Sequence, residues 1–216
     1  MRLILIVLLG VMAFTVLMFT KIVPYLSFEP AIDFLTTKTD TVLAKTDFQW
    51  GFYVHILSSW WVMGIGVFQF WPFFFQKYAL WHRLLGKIYV FSILALAAPS
   101  GFVLALYANG GLSVKVGFGL QCFVWWLTTW VAWREITFRH PQRHVEWMLR
   151  SYAVTLAAMS LRLASYVMVY VWHTKPIETY LTVTWLSWVG NLFIAEGLIY
   201  AGFAQRMLRY QEFEQK

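Results

Sequence analysis

Of 216 residues, 60% are hydrophobic, 20% aromatic and only 12% charged. A soluble domain carries roughly 25% charged residues, so this chain has too few to clothe a water-facing surface, and its class is all-α, polytopic membrane protein. Continuous apolar runs, rather than alternating segments of about ten residues, argue against a β-barrel, and the single cysteine, Cys122, precludes an internal disulfide.

The first apolar segment, Leu3–Thr20, follows a lone Arg2. It exceeds the roughly 7–15 residues of a signal-peptide core, and "KIVPYLSFEP" after it offers no small-x-small cleavage site. It reads as a retained anchor helix. An outer loop over 21–49 is long enough for a short surface helix. Five further segments follow, at about Trp50–Phe75, Ile88–Tyr107, Val114–Trp133, Met148–Trp172 and Tyr180–Ala204. Each is near the ~20 residues that a bilayer core demands. Pro99, followed by Ser100 and Gly101, is expected to kink its helix, with neighbours satisfying the freed carbonyls. The connections are short, which implies one six-helix bundle. A single membrane domain is expected over 1–216, with a core at about 50–205 and a short cytoplasmic tail at 206–216.

Charge gives the orientation. With a cytoplasmic amino terminus, eleven Lys and Arg lie inside: Arg2, Lys77, Arg83, Lys87, Arg134, Arg139, Arg143, Arg150, Arg206, Arg209 and Lys216. Lys21, Lys38, Lys45, Lys115 and Lys175 lie outside, five in all. Both termini are therefore expected in the cytoplasm. The same bias accounts for the net charge of +7 without a nucleic-acid partner.

The five histidines fall into two layers. His82, His140 and His144 lie at the cytoplasmic boundary, and His55 and His173 toward the outer one. Imidazoles on different helices can clamp a haem iron, and Arg83 and Arg150 could pair with haem propionates. His140, in the loop before Pro141, and His173 read as interfacial residues. His55 lies inside its helix, where an ionisable residue is a functional candidate. The segments "HRLLGKIY" and "HVEWMLRSY" share a faint likeness, which reads as common interface chemistry or as a duplicated hairpin.

Spacings of three and four place His144, Met148, Ser151, Thr155, Arg162 and Tyr166 on one side of the fifth helix. Such a stripe must face other helices or a wet cavity. Arg162, deep in the segment, is expected to contact Glu196 or Asn191 of the sixth helix. The aromatics of "WLSWVGN" read as an interfacial belt, or as a cleft able to stack a quinone ring.

Three motifs, HR-x-x-G-x-x-Y, H-x-x-WM-x-R-S-Y-A and W-x-x-NL-x-x-AE, resemble a bacterial family of predicted integral membrane proteins whose domain has no assigned function. The resemblance runs from about His55 to Glu196. It implies recurring positions at His55, His82, Arg83, Gly86, Tyr89, His144, Trp147, Met148, Arg150, Arg162, Asn191 and Glu196. A looser likeness, of architecture and histidine layering alone, exists to ascorbate-reducible two-haem transmembrane cytochromes. Three readings stand open. The first is a redox protein binding b-type haem or a quinone, with His82 and His144 as the iron-ligating pair and His55 in the outer leaflet. The second is a carrier or receptor for a hydrophobic small molecule or lipid, with a polar cavity along the fifth helix. The third is an accessory membrane subunit.

Overall fold

The computed structural model describes residues 2–29 and 32–213, without the side chains of Arg2, Leu3, Pro72, Phe75, Gln76 and residues 210–213. Among the described residues all regular structure is helical. In chain order the elements are α1 (Arg2–Ile22), two 3-10 turns (Val23–Ser27, Asp33–Thr37), α2 (Asp40–Leu43), α3 (Thr46–Gln69) and α4 (Pro72–Lys77). Then come α5 (Ala79–Phe91), a π-helical turn (Ser92–Ala97), α6 (Ala98–Leu106), α7 (Leu112–Thr137), α8 (Pro141–Thr155), α9 (Ala157–Tyr170), α10 (Pro176–Tyr200) and α11 (Phe203–Phe213).

Four helical segments are long and apolar enough to cross a membrane: Ile4–Ser27, Thr46–Gln69, Ala79–Leu106 and Pro176–Tyr200. The pair α8–α9, bent by 46°, makes a fifth if it is counted as one span. The segment expected at Val114–Trp133 lies inside α7, whose 26 residues give the length but not the apolar content. The second expected segment stops early, at Gln69, because Pro72 opens a new helix at its first turn. The last stops at Tyr200, since Gly202 takes a left-handed φ of 77° that ends α10. What reads as a tail from 206 is therefore part of a docked helix, α11.

Helix α1 runs antiparallel along α3. Trp60 donates its indole N–H to the Thr15 carbonyl at 2.8 Å, and Phe19 lies against the same indole. The expected surface loop folds over one end of the bundle, where Tyr25, Leu35, Phe48 and Phe52 form a small core. There Lys38 donates its ammonium to the Tyr107 carbonyl at 2.8 Å. Burial, with the Lys115 charge nearby, holds that ammonium below the ordinary lysine range.

Around Pro99 the helix does not fold sharply but widens into the π turn just before it, and Ala79–Leu106 stays one 28-residue segment. Neighbouring helices satisfy the carbonyls this exposes. Trp126 of α7 donates to Leu94 O at 3.2 Å, and His55 Nδ1 of α3 donates to Ala97 O at 2.9 Å.

Five buried polar side chains tie α5, α7 and α8 together. The Tyr89 hydroxyl lies 3.0 Å from both Ser151 Oγ and Thr155 Oγ1. Trp125 Nε1 donates to Thr155 Oγ1 at 2.9 Å, and Thr129 Oγ1 lies 2.7 Å from Ser151 Oγ. Thr129 also donates to Trp125 O, and Thr155 to Ser151 O. Every donor has an acceptor, the condition under which a buried polar cluster stabilises rather than penalises. The Thr155 bond back to residue 151 also fits the bend that follows at Leu156, where neither proline nor glycine breaks the chain.

One turn away, Tyr152 crosses to α3. Its hydroxyl donates to Met63 O at 3.0 Å and its ring stacks on Phe70 at 5.3 Å. The ring occupies the space a Cβ on Gly66 would need, so only glycine fits there.

Two substitutions test this packing. Tyr89→Phe leaves buried hydroxyls short of a partner and should cost about 1–3 kcal/mol, read as a lower thermal-unfolding midpoint in detergent. Gly66→Ala overpacks the Tyr152 ring and should cost about 1–3 kcal/mol, partly recovered by Tyr152→Leu in the same chain. A Gly66→Ala protein as stable as its parent would contradict the α3–α8 contact.

Candidate functional site: a two-histidine cavity at one end of the bundle

Helix α5 presents Ala79, His82, Arg83, Gly86, Lys87 and Val90 on one face, and α8 presents Pro141, His144, Val145 and Met148 on another. Both sets recur at spacings of three and four, so each is a single helical stripe. The stripes face one cavity of about 520 Å³, within the range of small-molecule and cofactor sites. Gln69 at the end of α3 and Phe70 just after it, Trp133 and Ile136 of α7, and Met207 and Leu208 of α11 complete its walls. Tyr89 lies one turn beyond Gly86, and Ser151 and Thr155 lie one and two turns beyond Met148, deeper in the bundle. The hydroxyl cluster is thus the floor beneath the cavity.

His82 and His144, separated by 62 positions in the sequence, meet here on different helices. His144 is oriented from behind: its Nδ1 donates to the Ala132 carbonyl at 2.8 Å. That bond fixes the tautomer and leaves Nε2 with its lone pair, the arrangement usual for metal-ligating histidines. Beside His82, buried Gln69 donates to the His82 carbonyl at 3.4 Å, and a side chain at Gly86 would press on the Gln69 amide. Arg83 and Lys87 supply positive charge to otherwise largely apolar walls.

The other expected residues go elsewhere. Arg162 does not reach Glu196 or Asn191. It is exposed, and its guanidinium donates to Ala158 O of its own helix at 2.8 Å. The contact with α10 comes from Arg150 instead, bidentate to Glu196 at 2.6 and 2.8 Å and stacked on Trp147 at 4.5 Å. Arg150 is thereby committed to a helix–helix pair and does not line the cavity. Asn191 donates to Ala153 O at 2.9 Å and accepts from Ser160 at 2.8 Å. The polar stripe on the fifth segment does not continue across the bilayer. His144 and Met148 line the cavity and Ser151 and Thr155 are buried, but past the bend Arg162 and Tyr166 face outward. A helix bent by 46° no longer carries one face from end to end.

His55 lies away from the cavity, its Nδ1 bonded to Ala97 O and its ring against Gly101. His140 accompanies Arg134 around the buried Glu135 carboxylate, each at 3.0 Å, which clamps the α7–α8 connection. His173 is exposed, with a left-handed φ of 52° where α9 has ended. Sequence reasoning missed Gln69, Lys87, Met207 and Glu135. Lys87 lies four residues after Arg83, and extending that helical spacing would have found it. The other three carry no local signal.

The three sequence motifs now have physical content. In the first, His82 and Arg83 line the cavity, Gly86 makes room for Gln69, and Tyr89 anchors the floor. In the second, His144 and Met148 line the cavity, Ser151 joins the floor and Tyr152 locks α8 to α3. In the third, Asn191 and Glu196 bind α10 to α8.

A family model described as "Predicted membrane protein (DUF2306)" matches residues 52–199. No curated protein and no solved structure matches the chain significantly. The match takes in both cavity stripes, the floor and the Arg150–Glu196 pair, and the chain belongs to this family of predicted membrane proteins, a domain of unknown function.

Proposed function

We propose that this protein is a redox component of a bacterial inner membrane that holds one b-type haem in the α5–α8 cavity, with His82 and His144 as the ligand pair. The observation that carries the reading is the meeting of these two imidazoles across one cavity, with His144 fixed through Nδ1. The donor set suits the group. Two imidazoles on separate helices would hold the iron. Phe70, Val90, Trp133 and Met148 supply apolar contact for a macrocycle, and Arg83 and Lys87 supply cations for propionates. A volume of about 520 Å³ is far larger than a bare ion needs, and no cluster of three or more His, Cys, Asp and Glu exists among the described residues. Bound haem supplies one-electron chemistry. The chain's part is to orient His144 through Ala132, to neutralise the acidic edge, and to seal the inner side with the hydroxyl floor. A quinone is the second reading, supported by Gln69, Arg83 and Lys87 as donors beside an apolar wall.

In this reading the membrane is crossed six times and both termini are cytoplasmic. Helix α7 begins beside the start of α10, where Gly117 meets Thr184, and ends at the cavity with Ile136. At about 1.5 Å per residue it is roughly 39 Å long, enough to cross. The antiparallel α1–α3 pairing directs the start of α1 toward the cavity end, and α11 lines the cavity itself. Two chain ends on one side require an even number of crossings. Lys77, Arg83, Lys87, Arg134, Arg139 and Arg143 lie in or beside the helix ends at that side, which the positive-inside rule assigns to the cytoplasm.

Protein purified from haem-replete cells should show a Soret band that shifts on reduction with dithionite. His82→Ala or His144→Ala should abolish or displace it, and added imidazole should restore it at least in part. Protein with no Soret band that also fails to take up hemin would overturn the haem reading, and recovery of a quinone in its organic extract would establish the second.

A further inference from the structure

Four of the cavity's five walls belong to α3, α5, α7 and α8, which are long elements packed into the bundle. The fifth is different. Helix α11 is joined to α10 by Ala201 and Gly202 alone. Gly202 sits at a φ of 77°, a conformation glycine adopts without the cost a side chain would bring. Arg206 reaches back over this joint, donating to Ala201 O at 2.8 Å and to Gly202 O at 3.4 Å. Beyond the joint, α11 turns one face inward. Ala204 is 1% exposed and Met207 5%, whereas Arg206 and Arg209 lie on the exposed side. The helix packs against α8, which lines the cavity, and against α4. Met207 and Leu208 project into the cavity's lining beside His144 and Met148.

We propose that α11 is a hinged closure of the cavity, and that Met207 and Leu208 are the side chains that decide what enters and how readily it leaves. A short amphipathic helix held by one face and a two-residue joint belongs to the low-stability end of a structure and opens first. Moving it exposes the cavity without disturbing the hydroxyl floor or the Arg150–Glu196 pair. The nature of the occupant rests on the haem reading above, but the closure itself does not.

The test therefore uses a readout that needs no ligand. Cys122 is the chain's single cysteine and is replaced by Ala. Met148→Cys then places a reporter thiol on the cavity wall, and its modification by a small permeant maleimide is followed in detergent. The full chain should react slowly, and a chain ending at Gly202 should react about tenfold faster or more. Gly202→Val, which keeps all of α11 but strains the joint, should fall between them, and it decides the matter alone if the shortened chain does not fold. Equal rates for the full chain and for Gly202→Val would overturn the closure. Hemin release, measured by transfer to apomyoglobin, should accelerate in the same order. If the intact chain takes up no hemin, the haem reading falls and the maleimide rates still decide whether α11 closes the cavity.

Discussion

The hydroxyl of Tyr89 is the point on which the inner half of this bundle turns. It is fully buried, and it meets Ser151 and Thr155 of α8 while Trp125 and Thr129 of α7 close the circle behind them. In hydrocarbon no water replaces a missing partner, so these groups hold one another at fixed distance and register. That fixes α5 against α8, and with it the two stripes that carry His82 and His144. Tyr152, one position after Ser151, extends the same constraint to α3 through Met63. The cavity is what remains above this floor, where the stripes diverge toward the end of the bundle.

The fold's class was legible because membrane insertion is a local property. Apolar length is written along the chain, and the segments at Leu3–Thr20 and Tyr180–Ala204 lie close to the helices α1 and α10. The bend at Leu156 was not legible. No proline or glycine marks it, and a Thr155 hydroxyl that bonds both its own helix and two others is a tertiary event. α11 was also missed, because a short polar-flanked segment after a long apolar one reads as a tail until something is found for Met207 to cover.

Much of the cavity was legible and much of the intramembrane charge was not, for one reason. His82 and His144 lie near helix starts, where three- and four-residue spacing has not accumulated error, so the stripe from His144 could be followed as far as Thr155. Arg162 was assigned by counting depth along a straight rod, and beyond the bend that count no longer names a face or a partner. The carboxylate it was expected to meet, Glu196, is held by Arg150, which is placed before the bend and supported by the Trp147 ring. An arginine at a helix entrance can reach a neighbouring helix through its long stem while its head remains near the interface, which its place in the sequence did not reveal.

The claim that two stripes converge on one chamber is open to a direct distance measurement. In a Cys122→Ala chain carrying both His82→Cys and His144→Cys, a short bifunctional maleimide should join the two thiols within a single polypeptide. The same reagent should fail between His82→Cys and Arg162→Cys. Efficient joining of the second pair, or none of the first in a protein that keeps its thermal midpoint, would contradict the account.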